Sequence, residues 1–206
     1  FPCVSPDDRY IVFSSDARGS TAIRRMNIDG SGQVPLSSGS GGFYWPQFTA
    51  DSKWVVYQST DEHLWKIAIE GGQPVQLTSY AATFPAPSPD GGNIVCILRD
   101  QINSLAMVPI VGGAANRIVK FSNKDMVYLS RWSPNGGVSC LMGDNLKPLN
   151  VYNLSLDRGK TEQLTFFTDL QRISSYSWSR DGQLVLSRTS DVRDVVQLTG
   201  PGPSYH

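Results

Sequence analysis

The acidic residue Asp90 lies beside a serine and two glycines in the stretch PSPDGGNIVC, which spans residues 87–96. A carboxylate in such a stretch could take part in acid–base chemistry. The same Asp-Gly pair also permits the positive φ angles of a tight hairpin turn, and the apolar run after it is typical of a strand. Asp90 is therefore a candidate for chemistry or for a turn, and the rest of the sequence decides between the two.

Histidine changes its charge near neutral pH and often binds metals, but it occurs here only at His63 and His206. Two histidines, one of them terminal, cannot build a metal-binding cluster. His63 follows Asp61 and Glu62, and we interpret it as a polar loop residue, with a ligand contact as the alternative. The sequence therefore predicts no metal site.

The sequence also lacks the patterns of nucleophilic and phosphate chemistry. It has no Gly-x-Ser-x-Gly elbow of an α/β-hydrolase. The glycine-rich stretches GSGQ at 30–33 and GSGG at 39–42 lack the spacing of a phosphate-binding loop, so we interpret them as connections between strands. Cys3, Cys96 and Cys140 are widely spaced and odd in number, which favours small hydrophobic core residues over a disulfide or zinc framework. We predict no catalytic residue and no cofactor.

The composition is that of a compact all-β protein without a strong electric field. The 206 residues include 18 Lys plus Arg and 18 Asp plus Glu, so no net charge draws the chain to nucleic acid. Turn-forming residues are abundant, with 19 Gly and 13 Pro. No apolar run approaches the ~20 residues of a membrane-spanning helix. We therefore expect neither nucleic-acid binding nor direct membrane insertion by this segment.

A repeated unit organises the whole chain. The stretch around Asp90 is one of five copies, each anchored on a serine or threonine at position 5, 49, 88, 133 or 179. The steps between anchors are 44, 39, 45 and 46 residues, close to the about 40 to 45 residues of one four-stranded propeller blade. The copies are VSPDDRYIVFSS, FTADSKWVVYQS, PSPDGGNIVCIL, WSPNGGVSCLM and WSRDGQLVLSR.

Each copy leads into further strands in a fixed order. The apolar run after the turn is continuous rather than alternating, which indicates a strand covered on both faces. A third strand follows, ending with RDVVQLTG at 193–200 in the last repeat. Four repeats then have a more polar fourth segment, as expected of an outermost edge strand. Pro109 falls in the third strand of repeat 3, where we expect a missing hydrogen bond or a bulge.

The repeat decides the role of Asp90. Equivalent turn positions hold Asp7, Asp51, Asp90, Asn135 and Asp181. A catalytic carboxylate does not need five copies, whereas a hairpin turn is needed in every blade. We therefore predict a structural turn at each of these positions.

The Ser-Pro-Asp-Gly turn, the following strand of the IVF type and the closing QLT resemble the WD40-like repeat of TolB-type β-propellers. The last repeat also resembles the closing blade of propellers at the C-terminus of bacterial signalling and regulatory proteins. Ala50, Ser52 and Arg180 depart from the repeat pattern. The resemblance implies a non-enzymatic interaction or sensory module in a larger bacterial signalling or envelope protein. It favours a periplasmic or other extracytoplasmic location, although the residues themselves leave the compartment open.

We predict one propeller domain over 1–206, with repeats at about 1–40, 41–80, 81–121, 122–168 and 169–200 and a tail at 201–206. Five repeats are fewer than the six or seven that the resemblance implies, and the fifth outer strand is missing. We therefore expect an incomplete part of a larger propeller, with an incomplete five-bladed ring as the alternative. Self-association that completes the ring is a further possibility.

We expect any binding face to lie where the second-to-third-strand loops and the links between blades emerge, because loops carry function more often than the scaffold does. Charges of both signs with aromatic side chains suit a protein or peptide partner. The alternative function is an accessory propeller of a peptidase or lyase whose catalytic domain is outside this chain. The candidate residues are Arg18, Tyr44, Trp45, Asp61, His63, Arg99, Asp100, Lys124, Arg172 and Arg188.

Overall fold

The fold was analysed in a computed structural model of the chain. It describes residues 2–16, 21–37, 42–99, 104–121, 126–134, 136–144, 147–156, 160–169, 171–179 and 181–190. Every regular element among these residues is a β-strand. The all-β class predicted from the sequence is confirmed.

The described residues include eighteen strands in five antiparallel sheets, which we call blades 1 to 5 in chain order. In blades 1 to 4 the strands pair in sequence order, so the first strand and the fourth strand are the two edges. The first strands of neighbouring blades contact each other and are therefore the innermost strands of the propeller. The strands are β1 Cys3–Val4, β2 Tyr10–Ser15, β3 Ala22–Asn27, β4 Val34–Pro35, β5 Phe43–Phe48, β6 Trp54–Ser59, β7 Leu64–Ala68, β8 Val75–Gln76, β9 Ala82–Pro87, β10 Asn93–Leu98, β11 Ser104–Pro109, β12 Arg117–Lys120, β13 Met126–Trp132, β14 Val138–Asp144, β15 Lys147–Leu154, β16 Thr161–Gln163, β17 Arg172–Trp178 and β18 Leu184–Thr189.

The repeated turn has the role predicted for Asp90. The Ser88 hydroxyl donates a hydrogen bond to Asp90, and Asp90 Oδ1 accepts the main-chain N–H of Gly92 at 2.9 Å. These bonds hold the pKa of Asp90 below its usual range, the serine bond being the largest cause. The Ser5 hydroxyl bonds Asp7 Oδ1 at 2.6 Å in the same way. Asn135 lies outside the described residues.

Replacing Gly91 with alanine is expected to lower the free energy of unfolding by about 1 kcal/mol, because L side chains disfavour its positive φ. Gly91 has a φ of 73°, and a Cβ there would meet nothing within 4 Å, so the cost comes from the backbone alone. Urea unfolding of the variant measures it. Gly92→Ala is the matched control, since Gly92 is not in the positive-φ region. Equal losses for the two variants would contradict the predicted backbone origin.

The core consists of four hydrophobic clusters, each shared by two consecutive blades. Val55 packs with blade 1 and its neighbour Val56 packs with blade 3, because successive side chains of a strand point to opposite faces. Ile94 and Val95 of blade 3 divide between blades 2 and 4 in the same way. The predicted burial of both strand faces is confirmed for these middle blades. Pro109 is the last residue of β11, so it ends the strand rather than interrupting it.

Blade 5 differs from the others in its described part. It has two described strands, β17 and β18, and the predicted third strand at 193–200 lies outside the described residues. Side chains of β18 alternate between partly buried and exposed, and Val185 is 61% exposed. The apolar run of this strand predicted two covered faces, and that prediction is wrong for the described structure because no described blade packs on the Val185 side.

The three cysteines are free, and Cys96 and Cys140 are buried in the interblade clusters, as predicted. Burial raises the pKa of Cys96 to about 12. Within the described ranges, no helix has the length and apolar character needed to cross a membrane.

Candidate functional site

One side of the propeller collects the loops predicted to carry function. In blades 2 to 5 the start of the first strand pairs with the end of the second strand, for example Phe43 with Ser59 and Arg172 with Thr189. The links between blades and the second-to-third-strand loops therefore emerge on the same side, which we call the loop face. The Ser-Pro-Asp-Gly turns lie on the opposite side.

The innermost strands of blades 2, 3 and 4 carry a bulge near the loop face. The register of the first two strands shifts between Tyr44 and Gln47, and again at the equivalent places of the next two blades. At each bulge a bulky residue has a positive φ: 56° at Trp45, 55° at Phe84 and 50° at Leu129. This conformation is costly for side chains of this size and is concentrated at functional sites.

The bulges bring aromatic rings of three blades side by side. The ring centroids of Trp45 and Phe84 are 4.8 Å apart in an edge-to-face arrangement, and those of Phe84 and Tyr128 are 6.2 Å apart. We call Trp45, Phe84 and Tyr128 the aromatic row. Such contacts add about 0.5–1.5 kcal/mol beyond the burial of area. The aromatic row therefore forms a continuous apolar wall across three blades.

The aromatic row lines a cavity of about 700 Å³ on the loop face. Leu129 and Ile173 extend its apolar lining, and Arg172 and Asp144 supply charges of opposite sign. Arg172 is exposed and belongs to none of the ion pairs between described residues. A cavity of this size with apolar walls and few polar groups is typical of a ligand site.

Neighbouring blades hold the bulges in place. The Phe84 carbonyl oxygen accepts a hydrogen bond from the Ser130 hydroxyl at 2.6 Å. The Phe84 N–H donates to Gln58 Oε1 at 3.4 Å. The Leu129 carbonyl oxygen accepts the Tyr176 hydroxyl at 2.7 Å. Ser130 and Tyr176 each lie three residues before a repeat anchor. The same position of the next blade thus fixes two of the three strained residues.

A second group of polar residues on the loop face joins blades 2 and 3. His63 Nδ1 lies 2.9 Å from Asp61 Oδ2, and Arg99 Nε lies 3.9 Å from a Glu62 carboxylate oxygen. The Ser59 hydroxyl donates to Asp61 and holds the pKa of that carboxyl below its usual range. The Glu62 carbonyl accepts the Ala82 N–H at 2.6 Å.

This arrangement is not that of a catalytic triad. The Asp61 carboxylate is hydrogen-bonded to both the Ser59 hydroxyl and the imidazole of His63. In a catalytic triad the serine hydroxyl donates to the imidazole instead. No group of three or more His, Cys, Asp or Glu side chains suited to a metal ion occurs in the described part of the chain. The Asp61 group is thus a hydrogen-bonded loop.

The structure divides the predicted binding residues into separate sets. Trp45 and Arg172 meet in the loop-face cavity, and Asp61, His63 and Arg99 form the second group. Tyr44 is 39% exposed beside the aromatic row. Arg188 instead pairs with Asp169 and lies 3.9 Å over the Phe167 ring. Arg18, Asp100 and Lys124 lie outside the described residues.

Phe84, Tyr128 and Leu129 belong to the cavity but were missed by the sequence reasoning. One signal could have found two of the bulges. Trp45-Pro46 and Phe84-Pro85 are both aromatic-proline pairs, and each aromatic residue lies four residues before its repeat anchor. Leu129 has the same spacing without the proline.

No family model matches the chain. An uncharacterized protein of Agrobacterium fabrum is 23% identical over 147 residues, which cover 64% of this chain and 50% of that protein. TolB from Acinetobacter baumannii superposes with a TM-score of 0.70 and 17% identity, covering 86% of this chain and 46% of TolB. The chain thus spans about half the length of these two proteins.

A TolB-type protein from Agrobacterium tumefaciens superposes with a TM-score of 0.76 and 20% identity, covering 91% of this chain and 73% of that protein. More distant similarities include puromycin hydrolase, with a TM-score of 0.60, 15% identity and coverage of 91% and 32%. An oligogalacturonate lyase in complex with manganese has a TM-score of 0.55, 11% identity and coverage of 87% and 67%. Four-stranded blades in sequence order, together with these superpositions, show that the chain has the fold of the TolB-type β-propellers.

Proposed function

We propose that this chain is a non-enzymatic propeller module that binds a protein or peptide at its loop face, within a larger bacterial signalling or envelope protein. The observation that carries the proposal is the aromatic row, which three consecutive blades bring to one cavity. The resemblance to TolB-type repeats supports an extracytoplasmic location for this function.

The chemistry of the cavity suits a side-chain anchor of a partner. Aromatic and arginine side chains contribute most of the binding energy in many protein interfaces. Trp45, Phe84 and Tyr128 offer ring faces and edges, and Arg172 offers a cation at the rim. A peptide with an apolar or aromatic anchor next to an acidic residue would match both features.

The bulges pre-organise the cavity. Because Ser130 and Tyr176 hold the main chain at Phe84 and Leu129, the strained residues are already in place before a partner arrives. Pre-organised groups lose less conformational entropy on binding. The strain at these positions therefore has a functional explanation.

The function is tested with a phage-displayed library of random peptides of about 12 residues. Peptides that bind the full chain are selected from it. The selected peptides, labelled with a fluorophore, are expected to bind Trp45→Asn at least about tenfold more weakly than the wild type. Asparagine removes the ring but tolerates a positive φ, so the backbone is preserved. Thermal unfolding verifies that the variant is folded.

Val75→Asn is the control for this experiment, because Val75 is also an exposed apolar residue of blade 2 but lies on its outermost strand. Selected peptides should bind this variant as they bind the wild type. Equal affinity of the peptides for Trp45→Asn and wild type would show that the aromatic row is not the binding site.

The alternative function is an accessory propeller of a peptidase or lyase. Its support is the fold likeness to puromycin hydrolase and to oligogalacturonate lyase. The chain covers 32% of puromycin hydrolase, so a much longer protein can include this fold. The full-length parent polypeptide is assayed for hydrolysis of puromycin and cleavage of oligogalacturonate. This assay separates the two functions, because the interaction module alone predicts no turnover.

A further inference from the structure

Arg131 is a cation near the axis of the propeller that has no counter-ion among the described residues. It lies on the innermost strand of blade 4, and its guanidinium donates to the Ser130 carbonyl oxygen at 3.0 Å. None of the ion pairs between described residues includes it. One hydrogen bond uses one of the five N–H donors that a guanidinium carries.

Arg131 faces a cavity of about 730 Å³ that is distinct from the loop-face cavity. The first strands of blades 1, 2, 4 and 5 line it, with Cys3, Gln47, Arg131 and Ser175 among the lining residues. No described lining residue is shared with the cavity of the aromatic row. We call this the axial cavity.

The groups nearest to Arg131 do not neutralise its charge. Burial is the main cause that lowers the pKa of Arg131, and the charges that would raise this pKa are those of Tyr176 and Cys3 in their ionised forms. Burial also raises the pKa of the Tyr176 hydroxyl and of the Cys3 thiol, so both groups are neutral at neutral pH. Asp8, the acidic residue among the described lining residues, is not among those charges.

Arg131 is half-buried, and a charge partly removed from water without a partner is unfavourable, so an anion that enters the axial cavity would reduce this cost. We propose that the axial cavity binds a carboxylate group, held by two parallel hydrogen bonds from the Arg131 guanidinium. The Ser175 hydroxyl lines the same cavity and can donate a further bond. A single guanidinium balances the one negative charge of a carboxylate, whereas phosphate carries nearly two.

The carboxylate can come from a small organic acid or from the C-terminus of a peptide. Both present the same planar pair of oxygens to the guanidinium fork. Propionate, which carries a single carboxylate, represents the first source, and acetyl-trialanine with a free C-terminus represents the second. The same peptide with a C-terminal amide lacks the carboxylate and is the matched control ligand.

The test uses the full chain at constant ionic strength of about 150 mM, so that general screening does not change. Isothermal titration is expected to show saturable binding of propionate or of the peptide acid, and none of the peptide amide. The tighter of the two identifies the source. Arg131→Met should bind at least about tenfold more weakly, and Arg131→Lys should also be weaker because it lacks the fork.

Stability separates a binding role from a structural one. Methionine removes the half-buried charge that has no described counter-ion, so unliganded Arg131→Met is expected to have a Tm equal to or above that of the wild type. Arg24→Met, which removes the same charge from blade 1 outside the cavity, should bind carboxylates like the wild type.

Four results would overturn the proposal. The first is that neither carboxylate binds the wild type, and the second is that both bind Arg131→Met as tightly as they bind the wild type. A lower Tm of unliganded Arg131→Met would show that the guanidinium has a structural role. Tighter Arg131-dependent binding of inorganic phosphate than of either carboxylate would reject the carboxylate assignment.

Discussion

Replacing Tyr176 with alanine is expected to lower the free energy of unfolding by about 3–5 kcal/mol, the range for removal of a large buried aromatic side chain. Tyr176 is 3% exposed and belongs to the cluster between blades 4 and 5. It is also the residue that fixes the bulge at Leu129. Urea unfolding followed by tryptophan fluorescence and by circular dichroism measures the loss.

Tyr176→Phe separates packing from hydrogen bonding. The ring stays in place, but the Leu129 carbonyl oxygen loses the hydroxyl that bonds it at 2.7 Å, and Ser139 Oγ loses a contact at 3.2 Å. Leaving a buried acceptor without its donor costs about 1–3 kcal/mol. We therefore expect Tyr176→Phe to lose between about one third and three fifths of what Tyr176→Ala loses.

Tyr44→Phe is the control, because Tyr44 is 39% exposed and its change should stay within about 0.5 kcal/mol. If Tyr176→Phe matched this control, the hydroxyl would not be what holds the bulge. If the phenylalanine variant lost as much as the alanine variant, packing of the ring would contribute little.

The propeller itself could be predicted from the sequence because its signals are local and repeated. Each anchor, turn and apolar run lies within about a dozen residues, and hairpin turns depend on the residues that form them. The Asp90 turn is an example, since Ser88, Asp90 and Gly92 supply its bonds from within five residues.

The candidate sites depend on contacts that a single repeat does not contain. Whether the φ of Phe84 becomes positive depends on Ser130 and Gln58, which belong to the blades on either side. Aromatic side chains as such predict core positions, so Tyr128 gave no separate signal. The charge environment of Arg131 depends on Cys3 and Tyr176, which lie 128 and 45 residues away along the chain.

The same limit explains why some predicted residues lie outside the cavity. Arg188 was predicted as a binding residue because it is charged and close to a loop. In the structure its charge is paired with Asp169, and its guanidinium lies over the Phe167 ring, both from the link between blades. Exposed charge is a weak guide because the residues that neutralise it come from another part of the chain. Trp45 was predicted because it is an aromatic residue next to a link between blades, near the start of β5, and aromatic residues are a stronger signal for an interface than exposed charge.

Valine occurs at equivalent positions of blade 3 and blade 5, once on a covered face and once on the exposed face of blade 5. Val95 pairs with Ala86, and Val185 pairs with Ser177, each partner lying two residues before its repeat anchor. Val95 is 1% exposed because blade 4 covers it, whereas Val185 is 61% exposed. The difference in burial, rather than the local sequence, should determine the effect of a substitution.

Val95→Ala is expected to lower the free energy of unfolding by about 2–3 kcal/mol, from two buried methyl groups and the cavity that they leave. Val185→Ala should change it by no more than about 0.5 kcal/mol. Urea unfolding of both variants at several protein concentrations makes the comparison. Equal losses would mean that another surface covers Val185 in solution, and a loss that grows with concentration would identify this surface as a second copy of the chain.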